Sequence, residues 1–183
     1  MFTRLSAWFR DRVRGRHALV GVAVFVVFAA ATLPRLPPSP AGSPDTTFLY
    51  SAADLAAMAE AYGEAGRAAY VRLRWTFDVA FPIVYGFFLL TTITWAFGRA
   101  FPSRSRWQLA NLAPLAAVAF DLLENTTTTL VMLAYPEPAE VAAALAPAAS
   151  ALKWLFVAAS WVLLLIGLAA AARASGRTTA RSS

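Results

Sequence analysis

Long apolar runs separated by short polar segments dominate the sequence. About 20 consecutive apolar residues allow an α-helix to cross the hydrocarbon core of a bilayer, so each long run predicts a membrane span. The predicted spans lie at about 18–33, 76–97, 108–134 and 147–172. Together they predict an all-α fold, a four-helix transmembrane bundle that forms a single membrane domain over residues 1–183.

The segment between the first two spans, 34–75, is the longest stretch outside the predicted membrane region. Its first part, 34–40, is rich in proline, which cannot continue a helix. Further on, Ser51 and Asp54 have the spacing of a variant capping box, and apolar residues follow at helical intervals until Gly63 and Gly66 interrupt them. We therefore predict a helical extracytoplasmic cap over 34–75.

The composition supports a membrane location, since 59% of the residues are hydrophobic and only 14% are charged. Arginine outnumbers the acidic residues in 1–17, 99–106 and 173–183. Because cytoplasmic segments carry an excess of Lys and Arg, we expect a multi-pass protein of the plasma (inner) membrane with both termini cytoplasmic, 173–183 being a basic tail. Topology and contact with membrane lipids then account for the net charge of +6, and no nucleic-acid partner is implied.

The first span has an alternative interpretation. Arginines followed by an apolar run that ends in three alanines, 29–31, also resemble a signal peptide with a small-residue cleavage site. The run is long for a signal peptide, and the preceding residues can form an amphipathic helix with Phe2 and Trp8 on its apolar side. These two features favour a span that is retained.

Polar residues in and before the second span recur at spacings of four or seven and so share one helix face. They are Tyr70, Arg74, Asp78 and Tyr85. Because Pro82 cannot donate to the carbonyl of Asp78, we expect that carbonyl to be an additional acceptor. The simpler interpretation is an ion pair between Arg74 and Asp78 and a packing hydrogen bond from Tyr85.

The third span carries the strongest polar pattern, with four residues at i, i+3, i+4 and i+7 on one face. They are Asp121, Glu124, Asn125 and Thr128. A charged side chain costs about 2.5–3.5 kcal/mol at membrane depth, so this face should point into the bundle. Two roles fit the pattern: hydrogen bonds that fix helix packing, or ligand binding, proton transfer or catalysis.

Lys153, near the outer end of the fourth span, is a candidate counter-charge. It can reach Asp78 or Glu124, or it can extend outward to lipid headgroups. The candidate catalytic residues are Asp121 and Glu124. The candidate ligand-binding residues are Arg67, Tyr70, Arg74, Asp78, Tyr85, Asn125, Thr128, Lys153 and Trp161.

Several classes of site lack the residues that they need. Without cysteine there are no disulfides or thiolate metal sites, and the single His17 cannot supply a two-histidine haem site. The sequence has no motif for nucleotide binding, serine hydrolysis or zinc proteolysis. Asp78, Asp121 and Glu124 could form a carboxylate site, but a hard cation takes about six or more oxygen ligands. We therefore expect no metal and no cofactor.

The polar positions from Tyr62 to Asn125 follow the pattern YGxxGRxxY, DxxFPxxY and DxxEN. This pattern resembles that of an uncharacterised family of small four-span bacterial membrane proteins. The resemblance implies that these positions belong together, and it implies no activity and no catalytic residue. In layout alone, the chain is also similar to sterol isomerase-like and sigma-2-receptor-like membrane proteins.

Three functions follow from these patterns. The first is binding or handling of an amphipathic molecule, lipid or isoprenoid-like, in a polar intramembrane pocket formed by spans two to four. The second is a membrane enzyme in which Glu124 or Asp121 transfers a proton while Tyr85 or Asn125 holds the substrate. The third is a non-catalytic subunit of a membrane complex, whose buried acids pair with a basic residue of a partner.

Overall fold

The computed structural model describes residues 1–35, 43–44 and 47–179. Within these ranges the chain forms α-helices and no strands, which confirms the all-α prediction. The helices are α1 (Phe2–Arg12), α2 (Gly15–Thr32), α3 (Ala52–Arg74), α4 (Phe77–Ala100), α5 (Ala113–Ala134) and α6 (Glu140–Thr179). The predictions for the proline-rich residues 36–40 and for the end of the basic tail, 180–183, lie outside the described residues.

Among the described residues, three helical segments are long and apolar enough to cross a membrane: Gly15–Arg35, Ala52–Ala100 and Glu140–Ser175. They coincide with the predicted first, second and fourth spans, and the second of them covers α3 and α4 together. α5 is a helix of 22 residues, but it is not one of these segments. Its acids and its run of threonines lower its mean hydropathy.

Two helix boundaries differ from the predicted spans. α5 begins at Ala113 rather than near 108, because Arg106–Leu112 forms a 3₁₀ turn. α6 begins at Glu140 rather than near 147, and Pro147 lies inside it. The acidic Glu140 in the first turn favours this earlier start, because the N-terminal end of a helix carries a partial positive charge.

The chain divides into two compact units. The first unit comprises Met1–Pro34, Val84–Ala116 and Phe156–Ser183, and the second comprises Arg35–Ile83 and Ala117–Leu155. Accordingly α1 and α2 belong to the first unit and α3 to the second, while α4, α5 and α6 contribute residues to both.

Aromatic packing and close approaches between helices characterise the first unit. Phe25 of α2 stacks on Phe88 of α4 with ring centroids 4.9 Å apart, and Trp161 of α6 lies 5.7 Å from Phe88. A Cβ added at Gly167 would lie 2.5 Å from a ring carbon of Phe97, and Phe97 is fully buried. The helices can approach this closely because position 167 has no side chain.

Neutral hydrogen bonds attach α1 to the 3₁₀ turn Arg106–Leu112. The Ser6 hydroxyl donates to the carbonyl oxygen of Gln108 at 2.7 Å, and the Asn111 amide donates to the carbonyl of Ser6 at 3.2 Å. The Gln108 amide in turn donates to the carbonyl oxygen of Phe97 at 3.1 Å. All three polar side chains are buried, and these bonds replace part of what water would supply. The side-chain oxygen of Asn111 has no partner among the described residues.

The second unit has its own apolar core, built from α3, α5, α6 and Tyr50, which lies two residues before α3. Its buried members are Tyr50, Leu55, Ala59, Tyr70, Val131, Met132, Ala142 and Ala146. The predicted capping box at the start of α3 is confirmed, since the Ser51 hydroxyl accepts from the Asp54 N–H and the Asp54 carboxylate accepts from the Ser51 N–H. This capping fixes the start of α3 at Ala52, directly after Ser51.

α3 bends at Gly63, where φ is 61° and ψ is 179°. This backbone conformation is essentially restricted to glycine. Beyond the bend, the guanidinium of Arg67 donates to the carbonyl of Ala59 at 2.9 Å and lies 4.5 Å from the ring centroid of Tyr135. The predicted interruption is therefore confirmed at Gly63, whereas Gly66 has helical backbone angles, so the prediction for Gly66 was wrong. Arg67 links the two parts of α3.

Candidate functional site

Most of the predicted site residues lie together in the second unit. We call the following set the polar cluster: Tyr50, Arg74, Asp78, Glu124, Asn125 and Lys153. Three of its charged members are strongly buried, with Arg74 at 1%, Glu124 at 0% and Lys153 at 4% relative exposure, while Asp78 is partly buried. Such burial is costly unless every charge is paired. The polar cluster is arranged as two networks, one around Arg74 and one around Glu124.

The Arg74 network joins the end of α3, the start of α4 and the middle of α5. Arg74 forms an i,i+4 ion pair with Asp78 at 2.9 Å and donates to the Asn125 side-chain oxygen at 3.1 Å. The guanidinium also lies 4.5 Å from the ring centroid of Tyr70. The charge of Arg74 is thus balanced by one carboxylate, one amide oxygen and one aromatic face.

The backbone carbonyl of Asp78 is an acceptor in the same network. Pro82, four residues further along α4, has no N–H to donate to this carbonyl. The Asn125 amide donates to it instead, at 2.6 Å. The predicted additional acceptor at Asp78 is therefore confirmed, and Asn125 uses both ends of its amide group to hold α5 against α3 and α4.

The Glu124 network joins α5 to α6. Glu124 forms an ion pair with Lys153 through its Oε2 atom, while Oε1 accepts from the Tyr50 hydroxyl at 3.4 Å. Of the three sequence-based alternatives for Lys153, the pair with Glu124 is the one observed. Tyr50 was not a predicted site residue, because it precedes the capping box and belongs to no periodic pattern.

Two donors on α6 near Lys153 have no hydrogen-bond partner among the described residues. They are the hydroxyl of Ser150 and the indole N–H of Trp154, both inaccessible to solvent. Ser150, Lys153 and Trp154 are spaced three and four residues apart and so share a helix face. The Trp154 ring lies 4.9 Å from that of Phe48 and 5.2 Å from the Lys153 ammonium. Buried donors nearly always have partners, so these two require an explanation.

The hydroxyl of Thr128, a predicted ligand-binding group, is used within its own helix. It donates to the carbonyl of Glu124 at 2.8 Å. Thr126 and Thr127 donate to carbonyl oxygens four residues earlier in the same way. Thr129 differs, because its hydroxyl accepts from the indole N–H of Trp75 at 3.1 Å. Most of the threonine run therefore satisfies its own hydroxyls along α5.

The remaining predicted residues fall in three places. Asp121 is buried on the same face of α5 as Glu124 and Asn125, which agrees with the predicted inward face. Arg67 and Tyr70 lie in the second unit, where they make the contacts with Ala59 and Arg74 given above. Tyr85 and Trp161 belong to the first unit.

No three histidine or acidic side chains in the described ranges come together as a group that could hold a metal ion. No protein-family model, no curated protein and no solved structure matches the chain. The case for a function therefore rests on the geometry of the polar cluster and on the apolar helices that surround it.

Proposed function

We propose that the protein is a multi-pass membrane protein whose second unit binds the polar end of an amphipathic molecule, lipid or isoprenoid-like. Two buried donors without a partner among the described residues carry this proposal: the hydroxyl of Ser150 and the indole N–H of Trp154. Both lie on the face of α6 that also bears Lys153. Each buried donor without a partner costs about 1–3 kcal/mol. A ligand with oxygen acceptors would remove that cost.

The chemistry of this helix face indicates what the ligand presents. Lys153 contributes a positive charge that Glu124 balances, and the two neighbouring groups offer an O–H and an N–H. Such a set suits a hydroxyl, carbonyl or phosphate oxygen on a molecule whose remainder is apolar. Apolar residues of the same unit, including Phe48 packed on Trp154, suit the apolar part.

α5 supports a fourth span in spite of its low mean hydropathy. At about 1.5 Å per residue, its 22 residues reach about 33 Å, comparable to the hydrocarbon core of about 30 Å. Its charged residues are buried, whereas Leu123, Leu130 and Leu133 are exposed. These leucine side chains would therefore face the lipid. We propose that the chain forms a four-span bundle in the plasma membrane, with the cap over 34–75 outside the cell and both termini in the cytoplasm.

Replacing indole N–H groups one at a time tests the binding proposal. In Trp154→Phe the unpartnered donor is lost, and we expect retention of a copurifying amphipathic molecule, measured by native mass spectrometry, to fall by about tenfold, or about 1.4 kcal/mol. Stability without ligand should stay level or rise, because an unsatisfied polar group is removed.

Trp75→Phe is the matched control. Its indole N–H donates to Thr129, so the same substitution should lower the melting temperature and leave retention of the molecule unchanged. Equal retention by Trp154→Phe and the wild-type protein would contradict the proposal. An equal loss of stability in both variants would also contradict it, because the Trp154 donor would then have an internal partner.

Single-cysteine labelling tests the topology, since the chain contains no cysteine of its own. Ser103 lies between α4 and α5 and Glu64 lies in α3, and both are exposed. We expect a membrane-impermeant thiol reagent to reach Glu64→Cys from outside intact cells and Ser103→Cys only after permeabilisation. Labelling of Ser103→Cys in intact cells would overturn the orientation.

An enzyme that transfers a proton through Glu124 receives less support from the geometry. A general acid or base must be free to exchange its proton with a substrate, whereas both carboxylate oxygens of Glu124 already face protein groups, Lys153 and Tyr50. Binding is therefore the function that we propose for this site.

A further inference from the structure

The first unit contains an open groove of about 220 Å³ between α1 and α4. Trp8 and Phe9 line it from α1, and Phe87 and Leu90 line it from α4. The walls are almost entirely apolar. In a protein whose helices are apolar enough to cross a membrane, an open apolar groove is suited to an acyl chain.

Arg12 and His17 also line this groove. Arg12 lines it, is exposed, and has its guanidinium carbon 4.3 Å from the ring centroid of Trp8. His17 also lines it, and its Nδ1 atom accepts from the backbone N–H of Arg14 at 2.8 Å. A neutral imidazole that accepts at Nδ1 carries its proton on Nε2, which is then a donor. The groove thus combines apolar walls with two donors, and no acidic residue lines it.

The surroundings of the groove are suited to an anionic surface. The chain segment 1–17 contains five arginines and a single acid, Asp11. On α1, Phe2 and Trp8 are 69% and 48% exposed, while Ser6 on another side attaches the helix to the protein. A helix with exposed apolar side chains and flanking arginines is typical of the membrane interface, where anionic headgroups attract basic residues.

We propose that this groove binds one anionic phospholipid. Its acyl chain lies along Phe9, Phe87 and Leu90, and its phosphate accepts hydrogen bonds from Arg12 and His17. Charge and shape both support this occupant. The apolar wall alone would accept any hydrophobic chain, and the donors of Arg12 and His17 add the preference for an anion. The groove belongs to the first unit, so the proposal is independent of the binding function proposed for the second.

Lipid titration with native mass spectrometry tests the proposal on the full-length protein in detergent. The probes are phosphatidylglycerol and phosphatidylcholine with identical acyl chains. We expect the wild-type protein to retain one phosphatidylglycerol more tightly than phosphatidylcholine, and Arg12→Gln to weaken phosphatidylglycerol retention by about five- to tenfold. Phosphatidylcholine retention should change less, because its headgroup carries no net charge.

Arg4→Gln is the matched control, because it removes the same charge from the same helix at a residue that does not line the groove. It should leave phosphatidylglycerol retention close to that of the wild-type protein. An equal loss in Arg4→Gln and Arg12→Gln would overturn the proposal, since the lipid would then respond to overall charge.

Val13→Trp tests the groove itself, because Val13 lines it and is only partly buried. A tryptophan at this position should fill the space and abolish retention of both lipids at the first bound site. Full retention of phosphatidylglycerol by a folded Val13→Trp variant would overturn the proposal. Should this variant fail to fold, the comparison of Arg12→Gln with Arg4→Gln still decides the question.

Discussion

The two units of this protein bury polar groups of different kinds. In the first unit the buried polar side chains are hydroxyls and amides, such as those of Ser6, Gln108 and Asn111, and they bond mainly to backbone carbonyls. In the second unit they include the charged side chains of Arg74 and Lys153 with their carboxylate partners.

The difference indicates which polar groups are needed for packing alone. Neutral hydrogen bonds between membrane helices contribute about 0.6 kcal/mol each and are sufficient to join segments. Buried ion pairs bring a desolvation cost of several kcal/mol per ion, and an apolar replacement is often as stable or more stable. The buried polar side chains of the first unit are neutral, and this unit therefore provides an internal control. By comparison, the buried charges of the second unit are more than helix packing requires.

The largest expected effect is that of Lys153→Met. It leaves the carboxylate of Glu124, which is fully buried, without its counter-charge, and the free energy of unfolding should fall by about 3–5 kcal/mol. Equilibrium unfolding in mixed micelles measures it. The double variant Lys153→Met with Glu124→Leu should recover most of the loss, and a double variant as unstable as the single one would mean that the two charges are not coupled.

Asn125→Leu should cost about 1–3 kcal/mol, because it removes an acceptor from Arg74 and leaves the carbonyl of Asp78 without the Asn125 donor. Thermal unfolding in detergent provides the measurement. Thr126→Val is the control on the same helix, since Thr126 is exposed and bonds only within α5. If both substitutions have the same small effect, the Arg74 network contributes no more to the free energy of unfolding than a surface residue does.

For the first unit, Gly167→Ala tests whether close helix packing contributes to stability. The added methyl group would lie 2.5 Å from the buried Phe97 ring, and overpacking of this kind costs about 1–3 kcal/mol. Gly98→Ala is the control, because no atom lies within 4 Å of its added Cβ. We expect Gly98→Ala to raise the melting temperature slightly, and the same result for Gly167→Ala would show that the helices do not depend on this approach.

Ser6→Ala should have the smallest effect, about 0.5–1.5 kcal/mol, because it removes one neutral hydrogen bond to the carbonyl of Gln108. Unfolding followed by the fluorescence of tryptophan gives the change. The neighbouring Ala7→Ser adds a hydroxyl without removing a bond and should be neutral. A loss with Ser6→Ala as large as that with Lys153→Met would remove the contrast between the units.

Much of the fold could be predicted from the sequence, because helices in an apolar medium satisfy their own backbone groups and so follow the apolar runs. The spans at α2 and α4, the capping box at Ser51, the interruption at Gly63 and the inward face of α5 were predicted in this way. The start of α6 was misplaced, because Pro147 resembles a helix start and nothing in the local pattern shows that the helix begins earlier. The membrane topology and the function of the polar cluster stay predictions.

The sequence by itself determined which residues form helices and which face of each helix is polar, since both depend on neighbours within about one or two turns. Only the tertiary structure decided which polar groups meet: that Lys153 pairs with Glu124, that Asn125 reaches the Asp78 carbonyl, and that Tyr50 joins the polar cluster. These pairings depend on how helices distant in sequence pack together. The same packing leaves Ser150 and Trp154 without partners among the described residues, a property that no local pattern encodes.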